Sequence, residues 1–309
     1  MRALLVINPH ATATTAAGRD VLAHALASSV KLDVVETRYR GHACDAAAGA
    51  VADGFDLVVA HGGDGTVNEV VNGLLRNGHL GEVPALGVIP GGSANVFARA
   101  LGLSRDPMEA AHQLLVAVET GSRRRIGLGH ARVTDGGGRW FTFNAGLGWD
   151  ADVVAEVERR RDKQASPLLY ATTALTSYFR QLRSSAGLVV ELPGGELLTG
   201  LRLAFVSNTD PWTYLGTTPI RTNPDCSFDD GLGLFALRSL GPPTVVRTLS
   251  QVLLPQLTPS GGNVVRMDDV DHLRVHCPEP VRLQVDGDNL GKQTDVTFTS
   301  VRWALRVAI

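Results

Sequence analysis

At 309 residues the chain is long enough for one large core or, as the pattern below favours, two domains. Its 44% hydrophobic and 19% charged content is that of a folded globular protein, and a net charge of −2 with a pI near 6.5 leaves no basic footprint for nucleic acid. No apolar run reaches the roughly 18 residues of a membrane span, and Cys44, Cys226 and Cys277 have neither metal-ligand nor disulfide spacing, which suits a reducing cytoplasm.

The chain begins directly with a strand, Ala3–Ile7, with no signal-peptide cleavage site. Further strands are expected at Leu32–Thr37, Asp56–Ala60 and Ala85–Ile89. Helices are expected at Ala16–Ser28, His42–Asp53 and Thr66–Leu75, after Pro90, and over Pro107–Glu119. This alternation over residues 1–122 predicts a parallel sheet with helices on both faces, which binds ligands beyond its strand C-termini. Two glycine turns occupy that position, Gly62–Thr66 and Pro90-Gly91-Gly92-Ser93. Glycine lets amide N–H groups approach an anion, and the helix behind them adds its dipole. Thr66 and Glu69 have the spacing of a capping box. Asp64 is the odd residue in the turn, because a carboxylate beside phosphates implies a metal ion between them. Lys31, Lys163 and Lys292 are the only lysines, so no P-loop lysine is present.

After Gly121-Ser122-Arg123-Arg124-Arg125 the composition changes, and residues 123–309 read as a second domain. Strand-like runs lie at Gly127–Val133, Trp140–Ala145, Gly187–Leu192, Arg202–Ser207, Leu232–Leu237, Leu273–His276, Val281–Val285 and Val296–Thr299. They predict a mainly antiparallel β-sandwich, interrupted by helices near Val153–Arg161, Leu168–Leu182 and Pro243–Leu254. The last run, Val301–Ile309, either finishes the sandwich or returns to the first domain.

Five blocks together resemble the diacylglycerol kinase-like lipid kinases. They are Asn8-Pro9; Thr37 before Gly41-His42-Ala43; Gly62–Gly73 with Pro90–Gly102; Asn208…Tyr214…Gly216…Pro224-Asp225…Asp229-Asp230-Gly231-Leu232; and Val285-Asp286-Gly287-Asp288. The family includes soluble bacterial diacylglycerol kinases, with sphingosine and ceramide kinases as relatives, and the resemblance covers nearly the whole chain. It implies the NAD kinase/diacylglycerol kinase-like fold and phosphorylation of a lipid hydroxyl by ATP and Mg2+ in a cleft between the domains. Diacylglycerol, giving phosphatidic acid, is the leading acceptor, with monoacylglycerol, a sphingoid base and other lipid alcohols open. It also implies a cytoplasmic protein that touches the inner membrane surface; monomer and homodimer both stay open.

By the same resemblance, Gly62, Gly63, Gly65 and Thr66 cradle phosphates, and Asn8, Thr37, Gly92, Ser93 and Asn95 contact the nucleotide. Asp64 and Glu69 orient the metal-bound phosphates, Asp286 is the general base, and Asp288 is its neighbour at nucleotide or metal. A structural metal is implied at Asp230, with carbonyls from Ser227 and Leu232. An extended Asp-Gly-Asp puts both carboxylates on one face. Two carboxylates that close raise one pKa unless a cation separates them.

The chain departs from the family twice. Its first loop has Thr12, Thr14 and Thr15 where glycine is usual, so hydroxyls stand in for amides. Val96 replaces the aspartate that usually follows Asn95, so metal handling leans on Asp64. Plainer readings also exist. Asp286-Gly287 and Asp229-Asp230-Gly231 suit tight turns, His42 and His61 suit local packing, and Arg123–Arg125 and Arg159–Arg161 suit solvated faces or, beside the mostly apolar Leu168–Leu182, anionic lipid head groups. The competing functions are an NAD kinase, whose Asn-Glu pair lies far from its glycine turn whereas Asn68-Glu69 follow it here, and a catalytically silent lipid- or nucleotide-binding module.

Overall fold

A computed structural model describes residues 1–134, 136–148, 187–254 and 256–309; the helices expected at Val153–Arg161 and Leu168–Leu182 lie outside them. The chain folds as two units, Met1–Leu128 with Arg302–Ile309, and Gly129–Val301. Among the described residues no helix is long and apolar enough to cross a membrane.

The first unit is built on parallel strands. β1 (Arg2–Ile7) lies between β2 (Lys31–Glu36) and β3 (Leu57–Gly62), and β4 (Ala85–Pro90) continues beyond β3. Near the end of the chain, Val307 pairs with Leu86 and the Ala308 N–H reaches the Leu86 carbonyl at 2.8 Å. Strand order reverses between β1 and β3, so their C-terminal ends form the switch point at which such sheets bind ligands. Helices cover both faces, which is why β3 and β4 are buried at every position. α1 (Ala16–Ala27) contributes Leu22 and Leu26, and α5 (Pro107–Thr120) contributes Ala111, Leu114 and Ala117, to a core with Ala3, Leu5, Ile7, Leu57 and Val59. Leu4, Val6, Val58 and Ala60 alternate to the opposite face, where α2 (His42–Ala52) and α3 (Asp64–Leu74) pack together. Caps fix the helix ends: Thr15 accepts from the Gly18 N–H, and Asp106 accepts from the Met108 and Glu109 N–H groups ahead of Pro107. The helix expected after Pro90 is α4 (Val96–Ala100).

The second unit is antiparallel and strand-rich. β5 (Arg124–Val133) enters it and pairs with β6 (Gly138–Phe141); β7 (Asn144–Leu147) follows, then the hairpin of β8 (Leu188–Glu191) and β9 (Leu197–Leu201). β10 (Leu203–Ser207) lies between β7 and β13 (Leu232–Leu237), after the small hairpin of β11 (Thr213–Leu215) and β12 (Thr218–Ile220). β14 (Val264–Val270) borders β13, and β15 (His272–Val285) pairs with β7, β8 and β16 (Asp288–Val307). Alternation gives β10 and β13 two apolar faces. Ala204, Val206, Leu234 and Ala236 join the main core. Leu203, Phe205, Phe235 and Leu237 form a second cluster with Trp212 and Val245, the latter from α6 (Pro242–Leu253).

Three differences from the sequence expectation have physical causes. The expected run Trp140–Ala145 is two strands, because Thr142, Phe143 and Asn144 turn their amides onto Asp286. The runs Leu273–His276 and Val281–Val285 are one strand whose register shifts between them, where Pro278 and Pro280 have no N–H to donate to a ladder. β14 was not expected, since Asp268-Asp269 break its apolar pattern.

Candidate active site

In the first unit the chain leaves β3 at Gly62 and enters α3 at Asp64, with Gly63 as a side-chain-free N-cap. The capping box expected from Thr66 and Glu69 is therefore not formed. The helix starts before Thr66, and the Glu69 carboxylate instead accepts the Gly41 N–H (2.9 Å) and Ala43 N–H (3.2 Å). Glu69 thus caps α2 from a neighbouring helix and holds the turn that follows Thr37.

Around the α3 start, loops from three strands are joined. The Asn8 N–H donates to the His61 carbonyl at 2.9 Å, and Asn8 Nδ2 donates to Thr66 Oγ1 at 3.2 Å. Ala13 N–H reaches the Gly91 carbonyl (2.8 Å) and Gly91 N–H the Gly62 carbonyl (2.7 Å). A Cβ on Gly92 would lie 2.6 Å from the Gly63 Cα, so only glycine lets the two turns touch backbone to backbone. Asn95, in the left-handed region at φ 49°, closes the second turn by accepting the Gly92 N–H (2.9 Å) and donating to the Gly92 carbonyl (2.7 Å). Asp64 Oδ1 accepts the Phe97 N–H at 3.1 Å, tying the first turn to α4. Thr37 sits at the end of β2, its N–H on the Ile7 carbonyl at 2.8 Å. Gly65 and Ser93 are exposed.

His61 has a larger part here than local packing. Its Nδ1 lies 3.2 Å from the Ile89 carbonyl and its Nε2 3.3 Å from Thr14 Oγ1. A carbonyl only accepts, so Nδ1 carries the proton and Nε2 accepts the Thr14 hydroxyl. Burial pushes its pKa below the ordinary value, which keeps this neutral form. The ring therefore fixes a hydroxyl of the glycine-poor first loop.

In the second unit, Asp286 and Gly287 are the two central residues of the β15–β16 hairpin, with φ 47° and 81°. That is the positive-φ pair a two-residue type I′ turn requires, so the plain turn reading of Asp-Gly holds. The Asp286 side chain has a second part. Oδ2 accepts the Thr142 N–H (2.7 Å) and hydroxyl (2.8 Å); Oδ1 accepts the N–H groups of Phe143 and Asn144, each at 3.1 Å. Burial pushes its carboxyl upward from the ordinary value, and these donors oppose the rise. Asn208, from the motif run, donates to the Thr142 carbonyl at 3.0 Å and braces the same turn. Asp288 is partly exposed and pairs with Arg139 at 3.1 Å. The hairpin thus contains one buried carboxylate wrapped in donors and one partly exposed carboxylate beside a cation.

At the third motif, Asp230 N–H meets the Ser227 carbonyl at 3.3 Å, and the Ser227 hydroxyl donates to the Asp230 carboxylate. Among the described residues, no three His, Cys, Asp or Glu side chains group as a ready metal site. Buried Cys226 and Cys277 are pushed up to about 12 by burial, which keeps them as inert thiols.

The chain is similar in sequence and fold to known proteins. The model of the diacylglycerol kinase catalytic domain matches residues 2–129. A diacylglycerol kinase of Bacillus subtilis (strain 168) is 30% identical over 255 residues, 82% of this chain and 77% of that protein. The chain belongs to the diacylglycerol kinase family. A second member, the diacylglycerol kinase of Mycobacterium tuberculosis (strain H37Rv), is 32% identical over 267 residues, 83% and 79% of the two chains. The crystal structure of a putative diacylglycerol kinase from Bacillus anthracis has the same fold, with a TM-score of 0.77 at 21% identity, over 99% of this chain and 96% of that one. The chain is accordingly a lipid kinase.

Sequence reasoning missed Arg139, Thr142 and the His61–Thr14 pair. Arg139 and Asp288 are 149 positions apart, so no local pattern joins them. The only trace of the Thr142 turn is a polar Thr between Trp140-Phe141 and Phe143.

Proposed function

We propose that the protein transfers a phosphoryl group from ATP to the hydroxyl of diacylglycerol, forming phosphatidic acid. The observation that carries this reading is the pair of mutually packed glycine turns at the α3 start, an anion site without lysine. Gly62, Gly63, Gly65 and Thr66 cradle the phosphates, while Asn8, Thr37, Gly92, Ser93 and Asn95 shape and line the nucleotide site. Mg2+ suits this site, because it keeps several waters and needs only one or two carboxylates beside phosphate oxygens. Asp64 is the carboxylate placed to hold it, and the bound ion would neutralise phosphate charge.

The family resemblance implies Asp286 as the base, but both of its oxygens already accept two hydrogen bonds each. We therefore assign proton acceptance to Asp288, oriented by Arg139, and assign Asp286 to holding the Thr142–Asn144 turn. A structural cation at Asp230, with the carbonyls of Ser227 and Leu232, belongs to the same proposal and would have to displace the Ser227 hydroxyl from the Asp230 carboxylate. ATP as donor and a bilayer lipid as acceptor place the reaction at the cytoplasmic face of a membrane.

Labelled ATP, Mg2+ and a panel of diacylglycerol, monoacylglycerol, a sphingoid base and NAD, resolved by chromatography, test the proposal. Label in phosphatidic acid is expected. Label in NAD alone, or in none of the four, would overturn it.

A further inference from the structure

We infer that α6, with Leu254 and Leu257 beyond its end, docks the second unit onto an anionic lipid surface. The inference rests on the lipid-acceptor reading but is read out separately from catalysis. α6 has two apolar faces. Val245 and Val252 lie on the seated side, Val245 packing against the cluster of Phe205, Phe235 and Leu237. Pro242, Val246, Leu249 and Leu253 recur at i, i+4, i+7 and i+11 and line a neighbouring stripe. That stripe faces outward: Val246 is 67% exposed and Leu249 45%, continued by Leu254 at 49% and Leu257 at 42%. Single exposed apolar side chains are ordinary, whereas several on one stripe mark a contact surface.

Charge selects the occupant. Between Asp230 and Asp268 there is no acidic residue, while Arg238, Arg247 and Arg266 are present. Arg266 is paired with Asp225 and Asp268, so Arg238 and Arg247 supply the segment's uncompensated charge. A second copy of the chain on a two-fold axis would set this basic, acid-free segment against itself. An anionic bilayer satisfies both features, taking the apolar stripe at the headgroup boundary and attracting the arginines. A lipid acceptor gives the protein reason to be there.

Sedimentation of the full chain with phosphatidylcholine vesicles, with and without phosphatidylglycerol, tests the inference alongside turnover on detergent-dispersed diacylglycerol. The wild type is expected to pellet with the mixed vesicles and much less with phosphatidylcholine alone. V246S/L249S should lose about tenfold or more of that binding, since each buried apolar side chain is worth about that factor. R247E should lose more than about fivefold, since a basic side chain at such a surface contributes about that factor. Detergent-supported turnover should be unchanged in both variants. R247E keeps the apolar stripe, so it still decides the matter if V246S/L249S melts early.

Vesicle binding equal to wild type in the variants would overturn the docking role while leaving the kinase reading intact. So would a wild type that binds no vesicle, or a dimer that V246S/L249S dissolves. Loss of detergent-supported turnover in the wild type would overturn the kinase reading, with vesicle binding still measured on its own.

Discussion

Both units carry a backbone turn at which amides leave the regular ladder, and they treat that turn differently. In the second unit the N–H groups of Thr142, Phe143 and Asn144 end on Asp286, a buried carboxylate of the protein itself. In the first, the start of α3 is N-capped by Gly63 and shaped by Gly92 pressed against it, with no capping side chain from the N-cap residue. An internal anion turns such a nest into a structural clamp; glycine leaves the corresponding surface to a ligand. Under the proposal two kinds of aspartate follow, Asp286 that holds the fold and Asp64 and Asp288 that would serve the reaction.

The largest expected contrast is between Asp286→Ala and Asp64→Asn. Asp286→Ala strips the charged acceptor from three amides and a hydroxyl and is expected to cost about 3 kcal/mol or more in urea unfolding. Asp64→Asn should shift unfolding by less than about 1 kcal/mol yet cut turnover about 10²- to 10³-fold, the scale of a lost electrostatic partner in a transition state. Equal stability losses would erase the distinction.

Gly92→Ala should come next. Its Cβ meets the Gly63 Cα at 2.6 Å, so the turns must part at a cost of about 1–3 kcal/mol. Calorimetric ATP affinity should fall with the melting temperature; unchanged affinity would detach the second turn from the nucleotide.

A third test uses Asp210, a carboxylate of the second unit without such a cradle. Its Oδ1 is buried without a hydrogen-bond partner, and burial raises its pKa to about 6 against the pull of Arg221. A carboxyl raised in the folded state contributes stability below its unfolded pKa and loses it as pH rises through the folded value. Wild type should therefore lose about 2 kcal/mol relative to Asp210→Asn between pH 4 and pH 7. Parallel melting curves across that range would show that Asp210 is better compensated than its surroundings indicate. The smallest effect is expected for Thr14→Val, which removes the hydroxyl that His61 fixes. KM for ATP should rise about two- to tenfold with kcat nearly constant.

The first unit was legible because its signals are local. Apolar runs such as Leu57–Ala60 gave the parallel strands, and Gly62–Thr66 gave the turn between strand and helix. Expected helix ends moved by only a few residues where Thr15, Asp106 and Gly121 cap them. Glu69 was misjudged because its spacing to Thr66 matches a local motif while its partners, Gly41 and Ala43, lie on another helix. The second unit was harder for the same reason. The break at Thr142, the long β15 through two prolines, and the Arg139–Asp288 pair are made by contacts distant in sequence. The motif Asp286-Gly287-Asp288 was visible, but which aspartate is wrapped in donors depends on a turn 142–144 positions upstream.

That assignment is the centre of the account, and Asp288→Asn addresses it most directly when turnover, ATP affinity and melting temperature are measured on one preparation. The account predicts kcat lower by about 10²- to 10⁴-fold, the range of a lost general base, with ATP affinity and melting temperature near wild type. Turnover at the wild-type rate in a folded, ATP-binding Asp288→Asn protein would contradict it.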